Sequence, residues 1–259
     1  MHIRTMSFST NAVLHIPHAR TAIPPDLRDS LLLDDTLLAA ELVAMTDHLT
    51  DRLFELPNAI RVVYPVSRLI VDPERFPDDS KEPMAAHGMG AVYERTSTGG
   101  PLRERPSHAD RENLLRRFYH PHHAALAAAV ACRLEETHNS CLLIDCHSFP
   151  SRARTFELDP LAPRPDINLG TDPFHTPPEL TAGATAAFEK QGFAVQVDRP
   201  YRGTLVPARF YQADSRVRSL MVEVNRRLYL DEPTGLARSD FRTVRARITR
   251  ALEAFARLS

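Results

Sequence analysis

The stretch that most constrains the fold is a short apolar run at residues 141–144, which stops abruptly at the polar residues Asp145-Cys146-His147-Ser148. Such a run is too short for a globular helix and is typical of a strand buried on both faces. Ligands of open α/β sheets bind at the carboxyl ends of such strands. The run therefore predicts an α/β sheet that presents His147 at its functional edge.

Two other stretches are predicted to deliver polar side chains to the same edge. Residues 11–18 are rich in β-forming side chains and close on Pro17-His18. Residues 219–225 form an apolar stretch that is interrupted by Glu223. A lone histidine is more often a hydrogen-bonded core residue, but three converging strand ends favour a site. A carboxylate inside an apolar strand is costly unless it is paired, solvated or bound to a metal.

Two histidines and one carboxylate meet the requirement of a hydrolytic zinc centre, which takes about three N/O ligands and keeps one position open for water. Spacing alone does not decide which carboxylate serves. His15 lies three residues before His18 and faces the other side of an extended segment, so it is expected to be buried behind the metal. Asp47 and Asp51 are expected on one face of a helix, where a solvated surface is an equally good interpretation.

The remaining chain alternates strands and helices around loops, which predicts a mostly parallel mixed sheet flanked by helices. Apolar residues at three- and four-residue spacing predict helices over residues 37–54, 111–136, 178–191 and 243–258. Pro121 is expected to kink or split the second of these helices. Further strands are predicted at residues 59–66, 68–72 and 193–197, and long irregular loops at residues 76–105 and 150–178.

Bulk composition narrows the function class. The 259 residues are expected to form one domain, 1–259, and the formal net charge of −1 argues against a nucleic-acid or anionic-membrane binder. Residues 1–7 lack the apolar core of a signal peptide, and no later segment is apolar enough to cross a membrane. Three cysteines without CxxC spacing suggest no disulfide framework. We expect a cytoplasmic protein with a small-molecule partner, and the oligomeric state stays open.

Other nucleophiles fit the pattern less well than a metal-activated water. Alternation along the strand turns Cys146 away from the face used by His147, and no neighbouring base is evident. Ser148 lacks the glycine-flanked turn of a serine hydrolase. Arginine side chains are candidates for binding the carboxylate of a substrate, because a planar guanidinium binds a carboxylate with two parallel hydrogen bonds.

Taken together, the motifs resemble the N-formylglutamate amidohydrolase family in an ordered series from about residue 13 to 232. The matching pieces are Ile16-Pro17-His18, Thr46-Asp47, Asp51-Arg52-Leu53, Ser67-Arg68-Leu69-Ile70-Val71-Asp72-Pro73-Glu74-Arg75, Ile144-Asp145-Cys146-His147-Ser148, Pro165-Asp166-Ile167-Asn168-Leu169-Gly170, Pro200-Tyr201-Arg202-Gly203 and Glu223-Val224-Asn225-Arg226-Arg227-Leu228-Tyr229.

The resemblance implies a fold like the zinc carboxypeptidases and aspartoacylase-like deacylases, of the phosphorylase/hydrolase-like type. It also implies a zinc-dependent amidohydrolase acting on N-acyl amino acids, such as N-formylglutamate in histidine breakdown. The implied metal ligands are His18, Asp47 and His147, and the implied acid that activates water is Glu223. Substrate binding is implied for four residues: Arg75 first, then Arg68, Arg202 and Ser148.

Three departures from the family pattern are expected near the pocket: Ala19-Arg20 after His18, Glu74 in place of asparagine, and Thr204 after Gly203. They predict an altered substrate preference. Two alternatives stay open: a deacylase or carboxypeptidase-like hydrolase with another N-acyl substrate, and a binder of acidic metabolites without catalysis. Zinc content and a screen of acyl groups would separate them.

Overall fold

A computed structural model describes residues 10–137, 140–154, 159 and 163–257. Six of the described strands form one mixed sheet in the order β2-β1-β3-β6-β4-β5. These strands are β1 (Ala12–Ile16), β2 (Ile60–Val63), β3 (Cys141–Phe149), β4 (Ile167–Gly170), β5 (Val195–Val197) and β6 (Val217–Asn225). The first four strands of that order run parallel, and β4 pairs antiparallel with β6. The predicted mostly parallel α/β sheet is therefore confirmed.

Six α-helices are found in the described part of the chain. They are α1 (Asp35–Met45), α2 (Thr50–Leu53), α3 (His108–Leu114), α4 (His120–Thr137), α5 (Pro178–Lys190) and α6 (Phe241–Phe255). Strands β7 (Leu230–Asp231) and β8 (Leu236–Ala237) form a small separate hairpin. None of these helices has both the length and the apolarity that crossing a bilayer requires. Residues 1–7 and Leu258, which entered the sequence predictions, lie outside the described residues.

Apolar side chains cover both faces of the sheet. On one face Leu14, Leu142 and Leu220 pack with buried residues of α5 and α6. On the other face Val13 and Leu143 pack with Leu126, Val130 and Leu134 of α4. Because neighbouring strand residues point to opposite faces, this alternation places His15, Asp145 and His147 on the face that α4 covers.

The helix predicted over residues 37–54 is wrong in one important respect. The chain leaves the helix after Met45 and re-enters it at Thr50, and Leu49 adopts a left-handed φ of 63°. The amide of Asp47 donates to the carbonyl of His18 over 2.9 Å instead of continuing the helix. Apolar periodicity runs through the break because Met45 and Leu53 are buried on either side of it. Asp47 therefore lies in an irregular segment and not on a helix face.

Two further strand predictions need correction. The residues predicted as a strand at 68–72 form a turn closed by a hydrogen bond from Ile70 N to Ser67 O of 3.0 Å. Their apolar side chains are buried in a second core beneath the long loop. Residues 167–170, predicted as part of an irregular region, form β4, with Asn168 paired opposite Glu223.

The long helix predicted around Pro121 is present with a different local accommodation. The chain stays helical from α3 through a π-helical segment, Leu115–Tyr119, into α4. A wide turn just before proline relieves the clash of its ring with the preceding turn. The α-helix is thus interrupted by a π-helical turn just before Pro121. The predicted loop at residues 76–105 contains only a short 3-10 helix, Pro83–His87.

Candidate metal centre and active site

The two histidines predicted at strand ends meet in the folded chain. His18 follows β1 and His147 lies in the adjacent parallel strand β3, and their ring centroids are 5.1 Å apart. Asp47 reaches the same place from the break between α1 and α2. One donor atom from each of these three buried residues lies within 4.8 Å of the others, a spacing that suits a metal ion.

A carboxylate orients the ring of His18. Its Nε2 lies 2.8 Å from Asp72 Oδ1, so the N–H of this ring is on Nε2 and donates to Asp72. Its Nδ1 lies 3.7 Å from Asp47 Oδ2 and, although buried, has no hydrogen-bond partner. Asp72 is itself held by Arg68, whose Nη2 donates over 2.6 Å, and by the hydroxyl of Tyr93. His18 therefore presents a bare nitrogen to Asp47.

His147 is oriented in the same way by a different acid. Its Nε2 lies 3.0 Å from Asp145 Oδ1, and its Nδ1 lies 3.4 Å from Asp47 Oδ2. Burial alone raises the pKa of Asp145, but the charge and hydrogen bond of His147, with those of His15, outweigh it and hold this pKa well below its ordinary value. An ionised Asp145 can only accept hydrogen bonds, so Nε2 of His147 donates to it. Burial opposes a charged ring, but the charge and hydrogen bond of Asp145 and the hydrogen bond with Asp47 raise the pKa of His147 well above its ordinary value. A metal ion bound at Nδ1 would displace the proton from that nitrogen.

Asp47 is anchored through both of its carboxylate oxygens. Arg226 Nη2 donates to Asp47 Oδ1 over 2.8 Å, and the amide of Ser148 donates to Oδ2 over 3.2 Å. Burial raises the pKa of Asp47, but the hydrogen bond with His147, the nearby ring of His18 and the charge of Arg226 outweigh it and keep the pKa far below its usual range. The carboxylate is thus ionised and turns Oδ2 towards the Nδ1 atoms of His18 and His147.

Glu223 stands beside this group on the neighbouring strand. It is the register partner of His147 in the parallel pair of β3 and β6, and it lines the cavity above the three converging residues. Its Oε2 is buried and has no hydrogen-bond partner among the described residues. Burial, reinforced by the charges of Asp47 and Asp145, raises the pKa of Glu223 to about 8 against opposing effects of His147 and Arg226. A carboxyl group tuned in this direction suits proton transfer near neutral pH.

The cavity has a volume of about 300 Å³ and carries several cations. Its charged and polar lining includes His18, Asp47, Arg68, Glu74, Arg75, His147, Ser148, Arg154, Tyr201, Arg202, Glu223 and Arg226. All eight residues predicted for the site, four for metal and catalysis and four for substrate, therefore line one cavity.

The arginines of the cavity differ in how fully they are engaged. Arg68 is committed to Asp72 through Nε, at 3.1 Å, and Nη2. Arg75 makes only loose ion pairs, 3.7 Å to Asp72 and 3.6 Å to Glu82, and its Nε has no hydrogen-bond partner. Arg202 is exposed at the rim of the cavity. Arg75 and Arg202 thus have more capacity for a ligand carboxylate than Arg68.

Two residues that support the site received no role from the sequence. Arg226 is buried, and besides Asp47 it contacts Ser148 Oγ, at 3.2 Å, and the carbonyl of Ala44, at 2.9 Å. Its neighbour Arg227 instead makes a half-exposed ion pair with Asp166. Nothing in the adjacent arginine pair indicates which one faces inward. Asp72 also received no role, because the sequence placed it at the end of a predicted strand. Its contact with His18 depends instead on a turn.

Only one of the three departures from the family pattern lies in the cavity. Arg20 turns outward and pairs with Asp51 over 2.9 Å, and Thr204 bonds Ser219 over 2.8 Å. Neither lines the cavity. Glu74 does line it, 3.9 Å from His147 Nε2.

Comparisons with known proteins bear on the family and the fold. A sequence profile of the N-formylglutamate amidohydrolase family matches residues 10–230. Among solved structures, the chain is similar to an N-formylglutamate amidohydrolase from Ralstonia eutropha JMP134, with a TM-score of 0.81 and 22% identity over 96% of this chain and 94% of that one. A gene product of Agrobacterium tumefaciens matches with a TM-score of 0.63 and 18% identity over 96% and 92% of the two chains.

No curated protein matches this sequence. At these identities the two solved structures show the fold, whereas the profile spans most of the chain, from β1 to the start of β7. The chain therefore belongs to the N-formylglutamate amidohydrolase family.

Proposed function

We propose that the protein is a zinc-dependent amidohydrolase that removes the acyl group from an N-acyl amino acid, with N-formylglutamate as the first substrate to test. One observation carries the proposal. The Nδ1 atoms of His18 and His147 and the Oδ2 atom of Asp47 converge, while the opposite ring nitrogens are occupied by carboxylates. Hydrogen-bonded imidazoles of this kind are typical metal ligands, because the second partner fixes the tautomer.

The donor set fits zinc. Tetrahedral zinc with bonds of about 2.1 Å places its ligands about 3.4 Å apart. Asp47 Oδ2 lies 3.4 Å from His147 Nδ1 and 3.7 Å from His18 Nδ1. The unpartnered Nδ1 of His18 is a buried lone pair that a cation would satisfy. Zinc held there would polarise the acyl carbonyl and lower the pKa of a bound water.

Glu223 then serves as the proton carrier. Its unpartnered Oε2 takes a proton from the attacking water as the water oxygen bonds to the acyl carbon. The same carboxyl group returns that proton to the amine nitrogen as the carbon–nitrogen bond breaks. The products are a carboxylic acid, formate for a formyl substrate, and the free amino acid.

Substrate carboxylates are assigned to the arginines on the cavity wall. Arg75 has the donors and the position to hold the α-carboxylate, and Arg202 at the rim suits a second carboxylate. Arg68 acts chiefly through Asp72. The hydroxyl of Ser148 already accepts a hydrogen bond from Arg226. Ser148 therefore supports the site through its backbone amide, which donates to Asp47.

Glu74 favours a second candidate, hydrolysis of a different N-acyl amino acid. Its carboxyl group lines the cavity where the family pattern has asparagine, and it carries a buried oxygen without a hydrogen-bond partner. Burial, with the charges of Asp145 and Asp72, raises the pKa of Glu74 well above its usual value. A carboxyl group in place of an amide therefore changes the hydrogen bonds that the cavity offers to a substrate. The carboxypeptidase-like superfamily, the role in histidine breakdown and the cytoplasmic location stay predictions from the resemblance and the composition.

The experiment compares substrates and one substitution. Zinc-loaded protein is offered N-formyl, N-acetyl and N-succinyl amino acids, and released amine is measured. Glu223→Gln is expected to retain zinc and lose about 10²–10⁴-fold in kcat. Glu179→Gln, an exposed residue of α5, is the matched control. Near-normal turnover by the Glu223 variant would refute the assignment, and full zinc loading with no hydrolysis of any substrate would favour a binding protein.

A further inference from the structure

A chain of hydrogen bonds runs from His147 along the face of the sheet that helix α4 covers and ends on that helix. His147 Nε2 lies 3.0 Å from Asp145 Oδ1, and the same oxygen lies 2.9 Å from His15 Nδ1. His15 Nε2 in turn lies 2.8 Å from His122 Nε2. All four side chains are buried. These hydrogen bonds therefore connect the proposed metal centre to His122 on helix α4.

The fold holds these residues in fixed relative positions. His15 and Asp145 are register partners on adjacent parallel strands, and His147 lies two residues further along β3 on the same face. Helix α4 covers that face and contributes His122, whose ring also contacts Tyr64 edge-on with centroids 5.0 Å apart. All four residues of this hydrogen-bond chain lie on strands or on helix α4, and none lies on an exposed loop.

The proton positions on the three histidine rings follow from the ionised carboxylate of Asp145, which can only accept hydrogen bonds. The amide of Leu205 donates to Asp145 Oδ2 over 3.1 Å, and an ionised carboxylate donates nothing itself. Both His147 Nε2 and His15 Nδ1 must therefore carry the hydrogens that point at Asp145 Oδ1. A neutral His15 then has a bare Nε2, which can only accept, so His122 supplies the N–H at the end of the chain.

We propose that His15 and His122 are positioning residues that hold Asp145, and through it His147, in the orientation and tautomer that leave His147 Nδ1 free for a metal. This inference rests on the proposed zinc centre. Without the N–H of His122, the bare Nε2 of His15 would lose its hydrogen-bond partner. The ring of His15 would then be held at one end only, which would loosen its hydrogen bond to Asp145 and, through Asp145, the hold on His147.

The same residues invite another interpretation, which the contacts disfavour. His15, Glu74 and Asp145 also have donor atoms within 4.8 Å of one another, as a second metal site would. Both ring nitrogens of His15 are already engaged, and Asp145 Oδ1 already accepts from two rings. The group is better explained as a hydrogen-bonded support than as a second ion site.

The test measures zinc affinity by competition with a chromophoric chelator. His122→Phe keeps an aromatic ring but removes the donor, and it is expected to weaken zinc binding about tenfold. His122→Gln can place an amide N–H against His15 and is expected to restore affinity close to that of the unsubstituted protein. His120→Phe, an exposed neighbour on α4, should leave affinity unchanged. His122→Asn, too short to reach His15, replaces H122F if that variant fails to fold.

A double substitution tests the route. His15→Asn keeps a donor for Asp145 but cannot reach His122, so adding H122F to H15N should cause no further loss. An unchanged affinity in H122F, a failure of H122Q to restore it, or an equal loss in the H15N background would each overturn the positioning role. If the unsubstituted, folded protein takes up no zinc at all, the metal centre itself is wrong and this inference falls with it.

Discussion

Arg226 donates from Nη2 to Asp47 Oδ1 over 2.8 Å, and this contact decides which oxygen of Asp47 faces the two histidines. Removing the guanidinium would leave a buried carboxylate free to rotate and would remove the cation that balances it. We expect Arg226→Met to weaken zinc binding by about 10–100-fold, the usual cost of losing a partner of a metal ligand.

The adjacent arginine provides the control for that substitution. Arg227→Met removes only a half-exposed ion pair with Asp166 and should leave zinc affinity unchanged. Equal zinc affinities for R226M and R227M, measured by chelator competition, would contradict the role given to Arg226.

Asp72 supports His18 as Asp145 supports His147. Asp72→Asn would keep the shape but replace an ionised acceptor that serves His18 and Arg68 together. We expect a loss of about 10–100-fold in zinc affinity. Because Arg68 would be left buried with a weakened partner, the free energy of unfolding should also fall by about 3 kcal/mol. Urea unfolding of the metal-free protein measures the second effect, with the exposed Asp29→Asn as reference.

Arg75 should affect substrate binding more than the chemical step. Arg75→Ala would remove a loosely engaged guanidinium of the cavity wall, and a charge-assisted hydrogen bond contributes about 1.5–3 kcal/mol. We expect KM to rise by about 10–100-fold with little change in kcat, at unchanged zinc content. Steady-state kinetics on the best substrate measure the split, and Arg116→Ala on the surface is the control. A fall in kcat at constant KM would place Arg75 in the chemistry instead.

Acid should destabilise the metal-free protein through His122. Burial, with the charges of His15 and His123, lowers the pKa of His122 from 6.5 to about 2. This histidine stays neutral in the fold while the unfolded chain takes up a proton below pH ~6.5. Its contribution to stability is therefore complete above pH ~6.5 and is lost progressively as the pH falls towards the folded pKa.

Substitution of that residue should flatten the acid limb of the stability curve. Urea unfolding of His122→Phe between pH 7 and pH 5, in the presence of a chelator, should show a loss smaller by on the order of 1 kcal/mol per pH unit. Parallel curves for the two proteins would show that His122 is protonated in the fold.

The strand framework of the site could be predicted from sequence because local patterns determine it. Apolar runs that end in polar residues mark the carboxyl ends of buried strands, and parallel pairing then brings His18 and His147 to one edge. Glu223 was recognisable for a related reason, since an acid inside an apolar strand calls for a special environment. The roles assigned to these residues stay predictions.

The parts that escaped prediction depend on tertiary contacts. The break that releases Asp47 carries no glycine or proline, and apolar spacing continues across it because Met45 and Leu53 are both buried. Residues 69–71 look like a strand but are buried by loop packing. Arg226 and Arg227 are identical in type and adjacent, so only the direction of the chain after β6 separates a buried support from a surface ion pair.

The most direct measurement is anomalous diffraction at the zinc edge from crystals grown with zinc. The account predicts one strong peak about 2.1 Å from His18 Nδ1, His147 Nδ1 and Asp47 Oδ2, with both Nε2 atoms still facing Asp72 and Asp145. A peak at any other place, or no peak between the two rings at full zinc occupancy in solution, would contradict it.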